Sequence, residues 1–471
     1  MDGLNCNEIQ YSELFPNNTI FRLDAEFFSR EAITIEKKIK EISCFYLKPQ
    51  EVVSGPFGSS LKSESYLEQG DVPFVRIENI RGGFDINMDN IIYISNADNA
   101  RIKNSQLSIN DIVLSKVGNS IGFFARVDES IGLCNISENN IGIKLSTYSE
   151  EEKHYILTYL NSFYAQKLVL RRTSGNAQPK LNVGDLCYIP IPSFSDNFYK
   201  NISLLIVNSR KLNLKSKQIY CDTEKQLIVV LKIDDLNNKH ENINIKSLVE
   251  SFGCGGRLDA EYYQSKYEKY KVVVQNSKLG FTFVKTEFVL VNQKCDRILS
   301  KYPYIEIGDI DVATGTVTHN TVLTEDLPDN AKIMTKANDI LVSTVRPNRG
   351  AVAILEQDDL LVSGAFTVLR EKGDYPKEVL QVLLRSEMYR DWMLRYNVGT
   401  SYPVIKDNDI LNLPIPILNE ELKKEIVNSV QESSKLRKKA KKLLDIAVKA
   451  VEMAIEADEE TALAWLSTQN V

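Results

Sequence analysis

The sequence predicts a mixed α/β protein of the α+β class, built from two diverged copies of one unit, each a strand-rich module followed by a long helix. Three observations predict this class. The chain of 471 residues contains an ordered series of internal matches. Short β-branched runs lie between Gly, Asn and Asp clusters, which is typical of strands and turns. Two long stretches repeat their apolar or small residues every three or four positions, which is typical of helices.

The duplication is clearest in two motifs. Arg22–Phe28 (RLDAEFF) recurs as Arg257–Tyr263 (RLDAEYY), and Asp111–Val117 (DIVLSKV) recurs as Asp339–Val345 (DILVSTV). The order of the matches is the same in both copies, so chance is not a sufficient explanation. The other matches pair Pro73–Ile80 with Pro303–Ile310, Gly122 with Gly350, Gly175 and Pro179 with Gly399 and Pro403, and Asp185–Pro192 with Asp409–Pro416.

The module in each copy combines strands with helices. We expect a helical stretch over Glu151–Arg172, where apolar residues recur at helical spacing, and an equivalent stretch over Pro376–Tyr396. The strands expected in the first copy are Phe74–Ile77, Ile91–Ile94, Ile112–Leu114 and Ile141–Leu145.

A long helix follows each module, after the Pro-Ile-Pro sequences at 190–192 and 414–416. The periodic stretches Ile202–Val230 and Leu422–Ala450 are heptad-like but rich in small and polar residues. They could cap separate domains, or pair as an antiparallel coiled coil; because they end matched repeats, we favour the pairing. A helix of about 36 residues spans about 54 Å, so the pair would act as a spacer. The expected domains are 1–195, a central spacer helix 196–250, 251–416 and a C-terminal spacer helix 417–471.

Composition excludes several classes of protein. Lys and Arg number 57 and Asp and Glu 63, a net charge of −6, which argues against a nucleic-acid binder that is basic overall. The seven cysteines are widely spaced and the three histidines form no HExxH motif, so we expect neither a disulfide framework nor a metal site. No apolar run reaches the ~18 residues of a membrane span, and no signal peptide is recognisable, so we expect a cytoplasmic protein without a membrane partner.

These features together resemble the specificity (S) subunit of type I restriction–modification systems. The resemblance rests on the RLDAE start of each module, the Gly55–Gly58 turn (GPFG), the Asp-Ile-[Val/Leu]-[Leu/Val]-Ser run, the late Gly-x-x-x-Pro loop, and the Pro-Ile-Pro exit before a long helix. It covers nearly the whole chain, although the second copy has Glu287–Val291 where the first has its GPFG turn.

The resemblance implies a non-catalytic, sequence-specific DNA-binding subunit. Each module would be a target recognition domain that reads one half of an asymmetric bipartite target in double-stranded DNA. The helices would dock two methyltransferase (M) subunits, and restriction/translocase (R) subunits would join in restriction complexes. No cofactor is then expected in this chain, because S-adenosylmethionine, ATP and Mg²⁺ would be bound by the partners. The alternatives are a DNA-binding or scaffold subunit of a related methylation-linked complex, type IIB-like or another phage-defence system, and a scaffold that binds protein or RNA.

Catalytic interpretations find little support in the sequence. Ser251–Gly256 (SFGCGG) resembles a methyltransferase cofactor loop, but the first copy has no glycine there, and no Asn-Pro-Pro-[Phe/Tyr] or Pro-Cys motif follows. A P-loop is absent, and no convincing nuclease-type carboxylate cluster is found.

Residues that contact DNA are expected in acid-poor loops that carry both basic and amide or hydroxyl side chains. Arg171 and Arg172 are expected to contact phosphates, whereas Asn176 and Thr400 are expected to read bases. The candidate residues are Ser59, Ser60, Lys62, Lys116, Asn119, Ser120, Arg171, Arg172, Thr173, Ser174, Asn176, Gln178 and Lys180 in the first copy and Arg346, Asn348, Arg349, Thr400, Ser401, Tyr402 and Lys406 in the second.

Two further motifs have competing interpretations. For Arg22-Leu-Asp-Ala-Glu and its repeat we favour a packing and ion-pair role over DNA contact. Lys435–Lys442 has six basic residues in eight positions, and a solvated helix face is the default for such a run, with a phosphate or partner contact as the alternative.

Overall fold

A computed structural model describes residues 10, 22, 24–58, 60–80, 83–88, 90–175, 179–231, 243–253 and 256–469, without the side chain of Asn119. Its contacts divide the chain into two units. Unit 1 is Met1–Leu212 with Lys438–Val471, and unit 2 is Asn213–Arg437. Each unit therefore contains one module and a segment of each long helix.

Unit 1 has two four-stranded sheets. Strands β2-β9-β6-β7 form an antiparallel sheet, and β4-β3-β8-β5 form a second sheet in which β3 and β8 run parallel. The short β1 and β10 pair antiparallel. The elements are α1 (Arg30–Lys40), β1 (Cys44–Phe45), β2 (Val52–Ser54), β3 (Val72–Val75), β4 (Ile92–Ile94), α2 (Asn96–Arg101), β5 (Gln106–Leu107), β6 (Ile112–Ser115), β7 (Phe124–Arg126), β8 (Cys134–Ile136), β9 (Asn140–Ile143), α3 (Glu150–Leu160), α4 (Phe163–Arg171), β10 (Ile191–Pro192) and α5 (Asp196–Val230).

Unit 2 repeats this plan. Strands β12-β21-β18-β19 form the antiparallel sheet, and β16-β13-β20-β17 form the sheet with one parallel pair, β13 and β20. The elements are α6 (Ser265–Gln275), β11 (Phe281–Phe283), α7 (Val284–Glu287), β12 (Phe288–Leu290), β13 (Lys301–Ile305), β14 (Ile310–Asp311), β15 (Thr316–Val317), β16 (Asn320–Leu323), β17 (Ala331–Met334), β18 (Ile340–Ser343), β19 (Val352–Ile354), β20 (Leu361–Ser363), β21 (Phe366–Glu371), α8 (Lys377–Arg385), α9 (Glu387–Leu394), α10 (Asp407–Leu411), β22 (Pro414–Pro416), α11 (Glu420–Glu456) and α12 (Glu459–Thr468).

The matching sheets confirm the predicted α+β class and the duplication, and all four strands predicted in the first copy are present. The helical stretch predicted before each Pro-Ile-Pro sequence is present, and in each unit it consists of two helices. The second helix begins after Ser162 in unit 1 and after Ser386 in unit 2. The hydroxyl of Ser162 donates to the Tyr159 carbonyl, and that of Ser386 donates to the Leu383 carbonyl. Serine breaks the helix there because its side chain competes for backbone groups.

The two long helices contain 35 and 37 residues, close to the expected length. In unit 1, the Ser209 hydroxyl donates to the Ala440 carbonyl at 2.8 Å. In unit 2, the Ser433 hydroxyl donates to the Ser216 carbonyl at 3.0 Å. A step of seven residues forward along α5 is a step of seven residues back along α11, so the two helices pair antiparallel, as predicted.

The helix ends differ from the sequence expectation. Helix α5 ends at Val230, short of residue 250, and residues 249–253 form one separate helical turn. Helix α11 ends at Glu456, and Asp458 caps the additional helix α12 by accepting the Thr461 backbone N–H. Within the described residues, no helix is long and apolar enough to cross a membrane.

Candidate nucleic-acid interface

In unit 1, the loop that follows β6 is bound to the loop that follows α4. The Gly118 N–H donates to the Pro179 carbonyl at 3.3 Å, and the Leu181 N–H donates to the Lys116 carbonyl at 2.9 Å. We call residues 115–120 together with residues 173–180 the first loop pair. The second of its loops is closed by reciprocal backbone hydrogen bonds between Ser174 and Lys180. Sequence reasoning selected both loops, and the structure brings them together.

Unit 2 contains the same arrangement. The Arg346 N–H donates to the Pro403 carbonyl at 2.7 Å, and the Ile405 N–H donates to the Thr344 carbonyl at 2.9 Å. We call residues 343–350 together with residues 396–406 the second loop pair. Its longer loop is closed by a hydrogen bond from the Val398 N–H to the Val404 carbonyl. The two loop pairs thus share a backbone scaffold, although few of their side chains match.

The arginine of each RLDAE motif donates to a backbone carbonyl of one loop in its unit. The Arg22 guanidinium pairs with Asp24 and donates from Nη1 to the Thr173 carbonyl at 2.6 Å. In unit 2, Arg257 pairs with Asp259 and donates from Nη2 to the Asn397 carbonyl at 2.8 Å. Both contacts confirm the packing and ion-pair interpretation. The neighbouring arginine lowers the pKa of each aspartate, so both carboxylates are ionised near neutral pH.

Lys116 connects the first loop pair to the GPFG turn. Its Nζ donates to Ser54 Oγ at 3.2 Å, directly before Gly55. Burial lowers the pKa of Lys116, and the nearby charge of Lys180 lowers it further, whereas the charge of Glu138 raises it.

The GPFG turn adds a residue that sequence reasoning missed. Phe57 is 85% exposed, and its carbonyl accepts the Ser60 backbone N–H. A Cβ on Gly55 would lie 1.8 Å from the Ser137 carbonyl oxygen, so only glycine allows this close approach. The sequence shows a turn at this position, but it does not show that the phenylalanine ring points into solvent. Of the other candidates on this turn, Ser60 is half-buried and Lys62 is exposed.

Arg171 and Arg172 do not belong to the exposed surface. The Arg171 guanidinium pairs with Glu36, binds the Phe27 carbonyl and lies over the Phe27 ring. Arg172 is 4% exposed, and its Nη2 donates to the Tyr188 carbonyl at 3.3 Å. The expectation that these two arginines contact phosphates stays a prediction, and the burial of Arg172 and the ion pair of Arg171 argue against it. Their spacing on a basic helix end gave no indication that both side chains turn inward.

The remaining candidates of the first loop pair differ in accessibility. Ser174 and Lys180 are exposed. Thr173 is half-buried, and its hydroxyl donates to the Leu170 carbonyl. The Ser120 hydroxyl donates to Ser115 Oγ at 3.1 Å. Ser59, Asn176, Gln178 and the side chain of Asn119 lie outside the described residues.

The second loop pair presents its candidates to solvent. The Arg346 guanidinium lies 5.6 Å from the centroid of the Tyr402 ring, a cation–π geometry that joins the two loops. Arg346 has a left-handed backbone conformation with φ of 51°, which costs free energy in a residue other than glycine. The exposed candidates are Arg346, Asn348, Arg349, Thr400, Ser401, Tyr402 and Lys406.

The basic run on α11 mostly faces solvent. Lys435, Lys438, Lys439, Lys441 and Lys442 are exposed. Arg437 instead turns inward and donates from Nη1 to Ser433 Oγ at 2.8 Å. This exposure agrees with a solvated helix face, and contact with a phosphate or a partner stays a prediction. Among the described residues, no group of three or more His, Cys, Asp or Glu could hold a metal ion.

Comparison with known proteins gives matches in solved structures alone. No protein-family model matches the chain, and no curated protein matches it. The type I restriction–modification S subunit from M. genitalium is 13% identical, with 90% of this chain and 96% of that chain covered and a TM-score of 0.36. The HsdS subunit from Thermoanaerobacter tengcongensis is 12% identical, with 89% and 96% covered and a TM-score of 0.26.

A further similar chain comes from a structure on complex assembly and conformational transition of the type I restriction–modification system. It is 12% identical, with 90% of this chain and 96% of that chain covered and a TM-score of 0.26. This chain is therefore similar to type I S subunits over about nine tenths of its length. At these identities and TM-scores the likeness assigns no residue, so a functional proposal has to rest on the two loop pairs and the duplicated sequence.

Proposed function

We propose that this chain is the DNA-reading specificity subunit of a type I restriction–modification complex, and that each loop pair reads one half of an asymmetric bipartite target. The observation that supports this most directly is the loop pair itself. The same backbone hydrogen bonds hold it in both units, while the side chains that it exposes differ. A constant scaffold with variable exposed polar groups is a suitable arrangement for reading two different half-sites.

The exposed side chains divide by chemistry into two proposed roles. Lysine and arginine contact phosphates and fix the position of the protein on DNA, and we assign this role to the exposed Lys180, Arg346 and Lys406 and to the half-buried Lys116. Hydroxyl groups can hydrogen-bond to base edges, and we assign base reading to Ser174, Thr400 and Ser401. Asn176 and Gln178 keep the same proposed role from the sequence.

The antiparallel helices are proposed to set the distance between the half-sites and to dock two M subunits. Half-site spacing in bipartite DNA readers follows from protein geometry. The M subunits would bind S-adenosylmethionine and perform the methylation, and R subunits would use ATP and Mg²⁺ where the complex cleaves DNA. The net charge of −6 fits a subunit that receives part of its DNA affinity from such partners.

Methylation mapping tests this proposal. The chain is expressed with its M subunits in a methylation-free host, and methylated bases are located by sequencing the genome. We expect one asymmetric motif with two specified halves and a fixed gap, absent when the chain is omitted. Methylation that does not depend on the chain, or a single uninterrupted motif, would contradict the proposal.

The spacer role can be tested by lengthening both helices at matched positions. Seven residues are inserted after Leu212 in α5 and seven after Leu436 in α11, which preserves the antiparallel pairing. One heptad adds about 10.5 Å of helix, equivalent to about three base pairs. We expect the same two half-motifs with a longer gap, whereas an unchanged gap would refute the spacer role. A single insertion, in α5 alone, is the control that should disrupt pairing.

A further inference from the structure

Phe57 is an aromatic side chain at the candidate interface to which the proposed contacts give no role. Its ring is 85% exposed. Exposure of a single apolar side chain is common on protein surfaces, so it indicates no function by itself. The position of the ring, the support of its turn and the residues around it decide what it can contact.

The turn that carries Phe57 lies at the same edge of a sheet as the first loop pair. Strands β2 and β6 both pair antiparallel with β9, which lies between them, so the two strands end at one edge. The turn at 55–58 follows β2, and the loop at 115–120 follows β6. Phe57 is therefore on the edge of the sheet that we propose to face DNA.

Hydrogen bonds join these two loops through the turn at 137–140. The Gly55 N–H donates to the Asn140 carbonyl at 3.2 Å, and the Lys116 N–H donates to the Asn139 carbonyl at 3.0 Å. A continuous set of hydrogen-bonded loops thus carries both the aromatic ring and the first loop pair.

The turn holds the Phe57 ring in place. Pro56 restricts the backbone before the ring, and the Ser60 N–H donates to the Phe57 carbonyl at 2.7 Å. After the turn, the Ser60 carbonyl accepts from Arg101 Nη2 at 3.4 Å, and Leu61 is buried in a hydrophobic cluster. A ring on a fixed turn loses little conformational entropy when it is bound, so it is suited to enter a defined site.

The ring stands alone among polar groups. Phe57 is the one exposed large apolar residue among the described residues of this edge, which are 54–58, 60–62, 115–121, 137–140, 173–175 and 179–181. The charged residues in these ranges are three lysines, Lys62, Lys116 and Lys180, and one carboxylate, Glu138. A protein partner usually needs a contiguous apolar patch. Proteins that bend DNA instead insert single apolar side chains between base pairs.

Unit 2 uses the equivalent segment differently. The chain that leaves β12, the counterpart of β2, pairs with β17 of the other sheet through a bridge between Lys294 and Ile333. The exposed aromatic ring of the second loop pair is Tyr402, and the Arg346 guanidinium lies over that ring. Insertion of a bare ring is therefore expected in one half-site only.

We propose that Phe57 inserts between two base pairs of the half-site that unit 1 reads, unstacks that base step and bends the DNA there. This inference rests on the proposed function, since it gives Phe57 a place in the same DNA contact. Pyrimidine–purine steps unstack more easily than others, so insertion adds a sequence preference. The half-site of unit 1 is then read in part at a step that receives no base-specific hydrogen bond.

Fluorescence of 2-aminopurine, a base whose emission is quenched by stacking, measures the insertion. The full chain with its M subunits is bound to target duplexes that carry this base at one position at a time in both half-sites. The methylated bases are left unlabelled, because methyltransferases extrude their own target base. We expect a several-fold rise at one base step of one half-site with the wild type, and the level of free DNA at that step with Phe57→Ala.

Ile109→Ala is the matched control. Ile109 is also an exposed apolar residue of unit 1, but it precedes β6 and so lies at the opposite edge of the same sheet. We expect its fluorescence pattern to equal that of the wild type. Because both side chains are exposed, neither variant should lose stability, and thermal unfolding of each verifies this.

The outcomes separate the insertion from the proposed function. An equal rise with Phe57→Ala, or no rise with a wild-type complex that methylates its bipartite motif, would overturn the insertion and leave the proposed function standing. Loss of M subunits from the Phe57→Ala complex in size-exclusion chromatography would show that the ring docks protein instead. Absence of any chain-dependent motif would disprove the proposed function, and the insertion with it.

Discussion

Units 1 and 2 are two copies of one backbone with different chemistry on it. The hydrogen bonds that join the loops are the same in both, Gly118 to Pro179 in unit 1 and Arg346 to Pro403 in unit 2. Yet unit 1 has the half-buried neutral amides Asn161 and Gln166 where unit 2 has Arg385 and Arg390. The contacts that position the loops are therefore the same in both copies. The side chains on the loops and around them differ.

The same carbonyls are satisfied by tyrosines from different positions in the two units. In unit 1, the Tyr159 hydroxyl donates to the Pro190 carbonyl at 2.6 Å. In unit 2, the equivalent Pro414 carbonyl accepts from Tyr389 at 2.8 Å, although Tyr389 aligns with Ala165. Both units therefore keep a tyrosine hydroxyl at the same place in the fold, because a buried carbonyl without a hydrogen-bond donor costs free energy.

The largest expected effect that separates the units is a pH response of unit 1. His154 Nδ1 forms a hydrogen bond with Ser203 Oγ at 2.8 Å, and His154 Nε2 lies 3.3 Å from Arg126 Nη1. Burial, and then the charge of Arg126, lower the pKa of His154 to about 4 from 6.5. The unfolded chain therefore binds the proton more readily, and unit 1 loses up to about 3 kcal/mol of stability as pH falls from about 6.5 to 4.

Calorimetric unfolding between pH 7 and 4 measures this response. We expect His154→Gln to flatten the pH dependence of the unit 1 transition, while His319→Gln, an exposed position in unit 2, leaves it as in the wild type. An equally steep pH dependence in His154→Gln would exclude this histidine as the cause.

A smaller difference is expected at an aspartate that both units share. Asp339 is fully buried and accepts from Arg370 Nε and Nη2 at 2.7 and 2.8 Å. The equivalent Asp111 accepts the backbone N–H groups of Ser108 and Leu145, and burial raises its pKa. Because Arg370 is partly exposed, we expect Asp339→Asn to destabilise unit 2 by about 2 kcal/mol, against about 1 kcal/mol for Asp111→Asn in unit 1.

Denaturant unfolding of both variants, followed by calorimetry to separate the two transitions, provides the measurement. Equal losses of stability in the two units would show that the Arg370 contact adds nothing to the buried carboxylate.

DNA reading should respond to one loop pair at a time. Thr400→Ala removes one hydroxyl from the second loop pair, so we expect about 1 kcal/mol less discrimination at one base position of one half-site. Ser174→Ala should do the same in the other half-site. Methylation mapping with each variant is the measurement, and relaxation of both half-sites by one substitution would contradict the assignment of one loop pair to each.

The smallest expected effect concerns phosphate contact in unit 1. Lys180→Gln should weaken binding to all DNA sequences equally and reduce the salt slope by about 0.9, the release of one counterion. Lys103→Gln is the control, since Lys103 is exposed but lies outside the first loop pair. Binding is measured for the complete complex over a range of salt concentrations. A change of sequence preference in Lys180→Gln would move this lysine from the phosphate role to base reading.

Periodicity and turn residues predicted the strands and helices correctly where the pattern lies within a few residues. The strands over Ile112–Leu114 and Ile141–Leu145 and the two long helices follow from patterns within a few residues, and the structure contains them. The break at Ser162 was missed because a serine in a helical pattern is tolerated on average. Only its hydrogen bond to the Tyr159 carbonyl shows that the helix ends there.

The candidate surface shows a similar division. The sequence alone determined the duplication, the two modules and the loops at 115–120, 173–180, 343–350 and 396–406, because repeats and composition are properties of the chain order. Only the tertiary structure decided that Arg171 turns inward to Glu36, that Phe57 turns outward, and that Arg385 and Arg390 share a pocket. The reason is physical: whether a side chain is paired or exposed depends on neighbours more than a hundred residues away in sequence, which no local pattern specifies.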